Sequence, residues 1–194
     1  MAAPRRVNRG PAAAAGNRAA VLSAARAVFG LHGPSAPMSL IWTTADVSPG
    51  VLYRHFPDRE SLAHAVIEQN VEALEKIAAR PDCTLDDLLA AVLDQLVECS
   101  AFVDARRPGD HHDPGHAATA LRFRALLEEK LGTGHTFRPG TTAGELVLAV
   151  GLVSALLTKT AAPLRRTVAA DAWQLLTIGL RDTGAASAPL APEG

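Results

Sequence analysis

Aromatic side chains are scarce in this chain of 194 residues, at 4% of the total, while apolar residues as a whole reach 48%. A core of ordinary size must then be filled mostly by Ala, Leu and Val, a mixture that favours helices. Cysteine is nearly absent. Cys83 and Cys99 are the two present, with no disulfide framework and no zinc-ligand spacing, so a reducing cytoplasm is the expected setting. No apolar run precedes position 19, and no signal peptide is expected. The most apolar stretch, ELVLAVGLVSALL at 145–157, is shorter than the about 20 residues that a membrane-spanning helix needs. No segment alternates with the period of two that marks strands. Missing too are a nucleophile elbow, a Gly-rich phosphate loop, a Ser-His-Asp order and a paired-carboxylate constellation. No catalytic residue and no cofactor is expected.

The net charge of −1 excludes little by itself, but its distribution is uneven. Residues 1–60 carry seven Arg and Lys against three Asp and Glu, a balance of +4, and residues 61–194 balance at −5. A basic N-terminal third on an acidic body suits a nucleic-acid reader with a separate regulatory part.

The stretch from Pro37 to Leu62 carries the densest local signals. Met38, Ile41, Trp42 and Ala45 share one face of a short helix at i, i+3, i+4 and i+7. Asp46 breaks the pattern, and Val47 can tuck under the turn. Ser48 is a good N-cap, and Pro49 suits the first helical position, where its missing N–H has no partner in any case. Leu52 and Phe56 then fall on one face, which leaves Val51, Tyr53, Arg54 and His55 off the buried seam. Pro57 stops this helix and Asp58 caps the next. Two short helices around a tight turn, the second presenting Tyr-Arg-His, describe a helix-turn-helix.

ADVSPGVLYRHFPDRESL resembles the DNA-binding domain of the TetR family of transcriptional repressors. Tyr53, Arg54, His55, Phe56, Pro57, Arg59 and Leu62 fill the family's slots at the end of the recognition helix and beyond. Upstream, NRAAVLSAARAVFGLHG is similar to the family's first helix, and the strong match covers about residues 17–75. Two positions depart from the pattern: Trp42 stands where the family usually has a small alanine, and Asp46 where it usually has glycine. The resemblance implies an all-α protein, with a three-helix DNA-binding domain at 17–62 followed by a helical ligand-binding and dimerisation domain at 63–183. It implies a homodimer that reads a palindromic operator in double-stranded DNA and releases it on binding a small apolar effector. The residues it places at DNA are Thr43, Thr44, Ser48, Pro49, Gly50, Val51, Tyr53, Arg54, His55 and Arg59, with Tyr53, His55 and Arg59 on phosphates. On Trp42 and Asp46 a second reading stays open: a helical ligand sensor or protein-interaction module that does not bind DNA.

Residues 1–16, rich in Ala, Pro, Gly and Arg without an acid, read as a disordered basic arm, and 184–194 as a disordered tail. Helical periods follow over roughly 17–31, from Asp58 to the break at Pro81, and from Thr84, where Asp87 occupies the capping-box place. On the second of these, His64 and Gln69 read as solvated or hydrogen-bonded rather than as cavity-lining. RRPGDHHDPGH at 106–116 reads as a solvated loop, not as a metal site, although His111, His112, Asp113 and His116 are ligand types. ATALRFRALLEEKLGTG reads as a helix with Leu121, Leu127 and Leu131 on its core face. The stretch at 145–157, apolar on every side, needs cover on more than one face, and with the last helix (LRRTVAADAWQLLTIGLRD) it suits a dimer interface.

Overall fold

In the computed structural model the described residues are 11–33, 36–104, 114–133, 137–178 and 180. They form eight α-helices and one 3-10 turn, and no strand among them. The helices are α1 (Pro11–His32), α2 (Met38–Thr44), α3 (Pro49–His55), α4 (Arg59–Ala78), α5 (Leu85–Asp104), α6 (Pro114–Gly132), α7 (Ala143–Thr158) and α8 (Arg165–Ile178).

Local chemistry sets the helix starts. The Ser48 hydroxyl accepts from the Val51 amide at 3.4 Å, and Pro49 occupies the first turn of α3. Asp58 takes the Ser61 amide at 2.7 Å while the Ser61 hydroxyl takes the Asp58 amide at 3.3 Å, a reciprocal box at the start of α4. Thr84 with Asp87, and Thr142 with Glu145, close the same kind of box before α5 and α7.

Two boundaries differ from the sequence reading. α1 begins at Pro11 rather than Asn17, because the Ala run after that proline has the highest helix propensity of any residue type. The supposed arm is helical from that point. α6 begins at Pro114, so His116 lies in a first helical turn instead of a loop, whereas His111, His112 and Asp113 lie outside the described residues. Residues 1–10 and the tail after 180 lie outside them as well.

Helices α1 to α4 enclose one core, in which Leu22, Phe29, Ile41, Leu52 and Leu62 are fully buried. The body encloses a second core around Leu85, Leu88, Leu89, Leu127 and Leu146. α4 belongs to both, since Leu62 and Val66 pack in the first and Leu74 and Ala78 in the second. Its 20 residues make a rod of about 30 Å with no break between the two. α1 also packs against α5, and Arg165, the first residue of α8, reaches the Gly30 carbonyl of α1 at 3.5 Å.

On α6 the expected core face is corrected. Leu127 is buried, but Leu121 is 66% exposed, and Phe123, Leu126 and Leu131 pack on the core. Arg122 turns to α4 and grips Glu75 with two hydrogen bonds of 2.7 and 2.6 Å. A carboxylate so held titrates below its ordinary range, chiefly through the Arg122 hydrogen bonds and against the opposing effect of burial.

Candidate DNA interface and body cavity

The helix-turn-helix presents α3 to solvent along one side. The turn before it depends on Asp46, the one non-glycine residue with positive φ among those described, at 52°. An aspartate reaches that left-handed conformation more readily than most residues, because its short side chain can satisfy local amides. Val47 is partly buried under the turn, as the pattern suggested.

Leu52 and Phe56 anchor α3 in the core, so that its opposite side is free. Tyr53 is 44% exposed, Arg54 is exposed, and Val51 is half-buried. At the helix start, Ser48, Pro49 and Gly50 are exposed, and a Cβ built on Gly50 would meet nothing within 4 Å. A backbone this open admits close approach by a large partner. Thr43 and Thr44 flank it at the end of α2, both exposed, with the Thr43 hydroxyl donated back to the Ser39 carbonyl at 2.8 Å. Eight of the ten expected residues, Val51 and Arg54 among them, are thus exposed or half-buried around α3 and the end of α2.

Two expected contacts sit elsewhere. Arg59 points inward: its guanidinium donates to the Ala36 carbonyl at 2.6 Å and lies 5.1 Å from the centroid of the Phe29 ring. It ties the segment between α1 and α2 to the start of α4 in the chain without DNA. His55 is half-buried beside Phe56, and its Nε2 is enclosed without a hydrogen-bond partner, so that nitrogen does not face outward. The local pattern could not show Arg59 turning inward, because the Ala36 carbonyl and the Phe29 ring that receive it lie far upstream in the chain.

Trp42 is half-buried. Its ring packs at the rim of the core and rests against Tyr53.

In the body, a cavity of 340 Å³ opens between α4, α5, α6 and α7. Val71, Leu74, Val92, Leu96, Phe123 and Val150 supply most of its apolar wall, and Asn70, Gln95 and Ser154 its polar groups. His64 and Gln69 are not part of it. His64 faces Thr119 at 3.5 Å, and Gln69 accepts from Arg26 at 3.4 Å.

An unpartnered apolar strip runs beside this cavity. On α7, Leu148, Leu152 and Leu156 recur every four residues at 64, 51 and 45% exposure, and on α8 Leu175 and Ile178 are exposed at 72 and 56%. Among the described residues nothing covers this strip, and a contiguous apolar surface is of the kind that partners cover in helical proteins. The expected need of α7 for a second cover is therefore visible as exposed leucine.

Comparison with known proteins agrees with this arrangement. Residues 21–66 match the family model described as bacterial regulatory proteins, tetR family. The HTH-type transcriptional regulator UidR of Escherichia coli (strain K12) is 43% identical over 56 residues, 28% of this chain and 29% of UidR, so the match spans under a third of that relative. Similar solved structures extend over the body. A TetR transcription regulatory protein from Mycobacterium vanbaalenii is 28% identical with a TM-score of 0.56, covering 88% of this chain and 98% of that one. A TetR transcriptional regulator from Streptomyces coelicolor, at 24% identity and a TM-score of 0.58, covers 86% and 99%. The TetR family protein CprB from S. coelicolor A3(2) has 22% identity and a TM-score of 0.61, covering 88% and 91%.

Proposed function

The N-terminal domain of this chain belongs to the TetR family of bacterial regulatory proteins, and from that premise we propose that the whole chain is a dimeric, ligand-responsive transcriptional repressor in the cytoplasm. The observation that carries the reading is the pairing of an outward-facing α3 with an unpartnered apolar strip on α7 and α8. A second copy packed on the strip gives two reading heads related by a two-fold axis. Two heads so related read a palindrome, each placing Ser48, Gly50, Val51, Tyr53 and Arg54 in one major groove, with Thr43 and Thr44 at its edge. Tyr53 and Arg54 supply backbone contacts that position the head, and the groove edges are read by the residues at the start of α3.

The body cavity is the site for a small apolar effector. Ile67, Val71 and Leu74 line it from α4, directly after Val66, which packs in the head core. A molecule that fits one position of α4 better than the other shifts the population of head spacings, and binding to DNA falls accordingly. α7 carries cavity on one side and the apolar strip on the next, with Val147, Gly151 and Ala155 at the cavity edge. Among the described residues no helix is long and apolar enough to cross a membrane.

Gel-shift titration against the DNA upstream of the protein's own gene tests the reading. Retardation that unrelated DNA does not reproduce is the expected outcome. Asp46, an exposed negative charge at the turn, and the inward Arg59 favour the alternative, a helical sensor or interaction module that does not bind DNA. Absence of retardation at low salt establishes that alternative.

A further inference from the structure

The chemistry of the cavity wall narrows what it can hold. None of the residues lining it is charged. The ion pair of Arg122 with Glu75 is closed on itself by two short hydrogen bonds, and neither residue is part of the cavity wall. An ion entering this space would leave its water without gaining a counter-charge, which is costly. Of the polar groups in the wall, the Gln95 amide N–H already donates to the Asn70 backbone carbonyl at 3.3 Å. Ser154 differs. It is 6% exposed, and its hydroxyl oxygen is buried with no hydrogen-bond partner, an arrangement that costs stability in the empty protein. Serine hydroxyls in helices commonly turn back to a carbonyl of the preceding turn, and this one does not.

We propose that the cavity takes an uncharged, mainly apolar molecule that brings one hydrogen-bonding group to the Ser154 hydroxyl. This deepens the effector reading given above and rests on it. The volume of 340 Å³ lies at the small end of the range of about 300–1,000 Å³ seen in ligand pockets, so a compact molecule fills it. Anions and cations of the same framework are excluded by the missing counter-charge.

A matched pair of dyes tests the proposal on the full chain. N-phenyl-1-naphthylamine is neutral, apolar and carries one N–H, and 8-anilinonaphthalene-1-sulfonate adds a sulfonate to the same framework. The neutral dye is expected to bind saturably with a rise in fluorescence, and the sulfonate at least about tenfold more weakly, as an uncompensated charge in an apolar site demands. Ser154→Ala is expected to weaken the neutral dye by about three- to tenfold, the worth of one hydrogen bond, while melting no earlier than the unmodified protein. Equal binding of both dyes, or tighter binding of the sulfonate, overturns the proposal. So does a Ser154→Ala protein that melts normally and binds the neutral dye undiminished. If the neutral dye binds as expected yet does not release the protein from upstream DNA, the assignment of ligand class stands and the effector reading falls.

Discussion

The indole of Trp42 leans on the phenol ring of Tyr53, with centroids 6.0 Å apart and ring planes at 59°. A tilted pair at this distance is attractive beyond the area it buries. The contact fixes the most exposed aromatic of α3 from the side of α2. Trp42→Ala is therefore expected to free Tyr53 and weaken operator binding by about two- to tenfold, the worth of one aromatic pair. Fluorescence anisotropy with labelled operator DNA measures it, and unchanged affinity would show that Tyr53 needs no such support.

Asp46 has the opposite sign. Glycine adopts the turn's left-handed backbone freely and removes a negative charge near the DNA face. Asp46→Gly is expected to tighten DNA binding, most clearly at low salt where screening is weakest, with stability altered by no more than about 1 kcal/mol. A gain that persists unchanged at high salt would point to geometry alone.

The two arginines of the Tyr53–Arg59 stretch are expected to part company. Arg54 is exposed, and Arg54→Ala should lower the salt slope of binding by roughly one. Arg59 is spent on Ala36 and Phe29, so Arg59→Ala should leave that slope alone and cost about 1–3 kcal/mol of stability, as loss of a charged group's hydrogen bond does. Denaturant titration alongside binding isotherms separates the two effects.

Leu152 and Leu157 lie on one helix with opposite surroundings, exposed and fully buried respectively. Leu152→Asp should yield a folded monomer by sedimentation, because only the strip between copies is disturbed. Leu157→Asp should unfold the chain, because its charge has no water and no partner. A Leu152→Asp protein that still sediments as a dimer would move the interface elsewhere.

Acid should loosen the start of α7. The Thr142 amide, then its hydroxyl and Arg138, hold the Glu145 carboxyl below its ordinary range, outweighing the effect of burial. A group depressed on folding stabilises above its unfolded value, and that contribution is lost as pH falls through the lower folded one. Glu145→Gln should flatten this acid limb in a melting-temperature profile. Thr142→Ala should cost about 0.5–2 kcal/mol near neutral pH, as N-cap removal does. An acid limb identical in Glu145→Gln and the unmodified protein would assign it to other carboxylates.

The helix starts were legible because their causes are local. Ser48, Asp58 and Thr84 each find their partners within three residues, and the periodic leucines of α5 leave one face to bury. What escaped the pattern depends on neighbours distant in sequence. Arg59 turns inward because Ala36 offers a carbonyl and Phe29 a ring. Leu121 has an apolar side chain at a helical spacing but no neighbour to cover it. Ser154 sits inside the apolar run at 145–157, and its lack of a partner is visible only once the surrounding helices are in place.

The strap from Arg165 to Gly30, with the packing of α1 on α5, bears on how this gene can be recombined. A head excised after α4 would bare the side of α1 that the body now covers. A chimaera joining this head to a foreign regulatory body must therefore carry a matching α5 surface and an arginine at the strap. Compatibility between halves, rather than the linker joining them, becomes the constraint on shuffling.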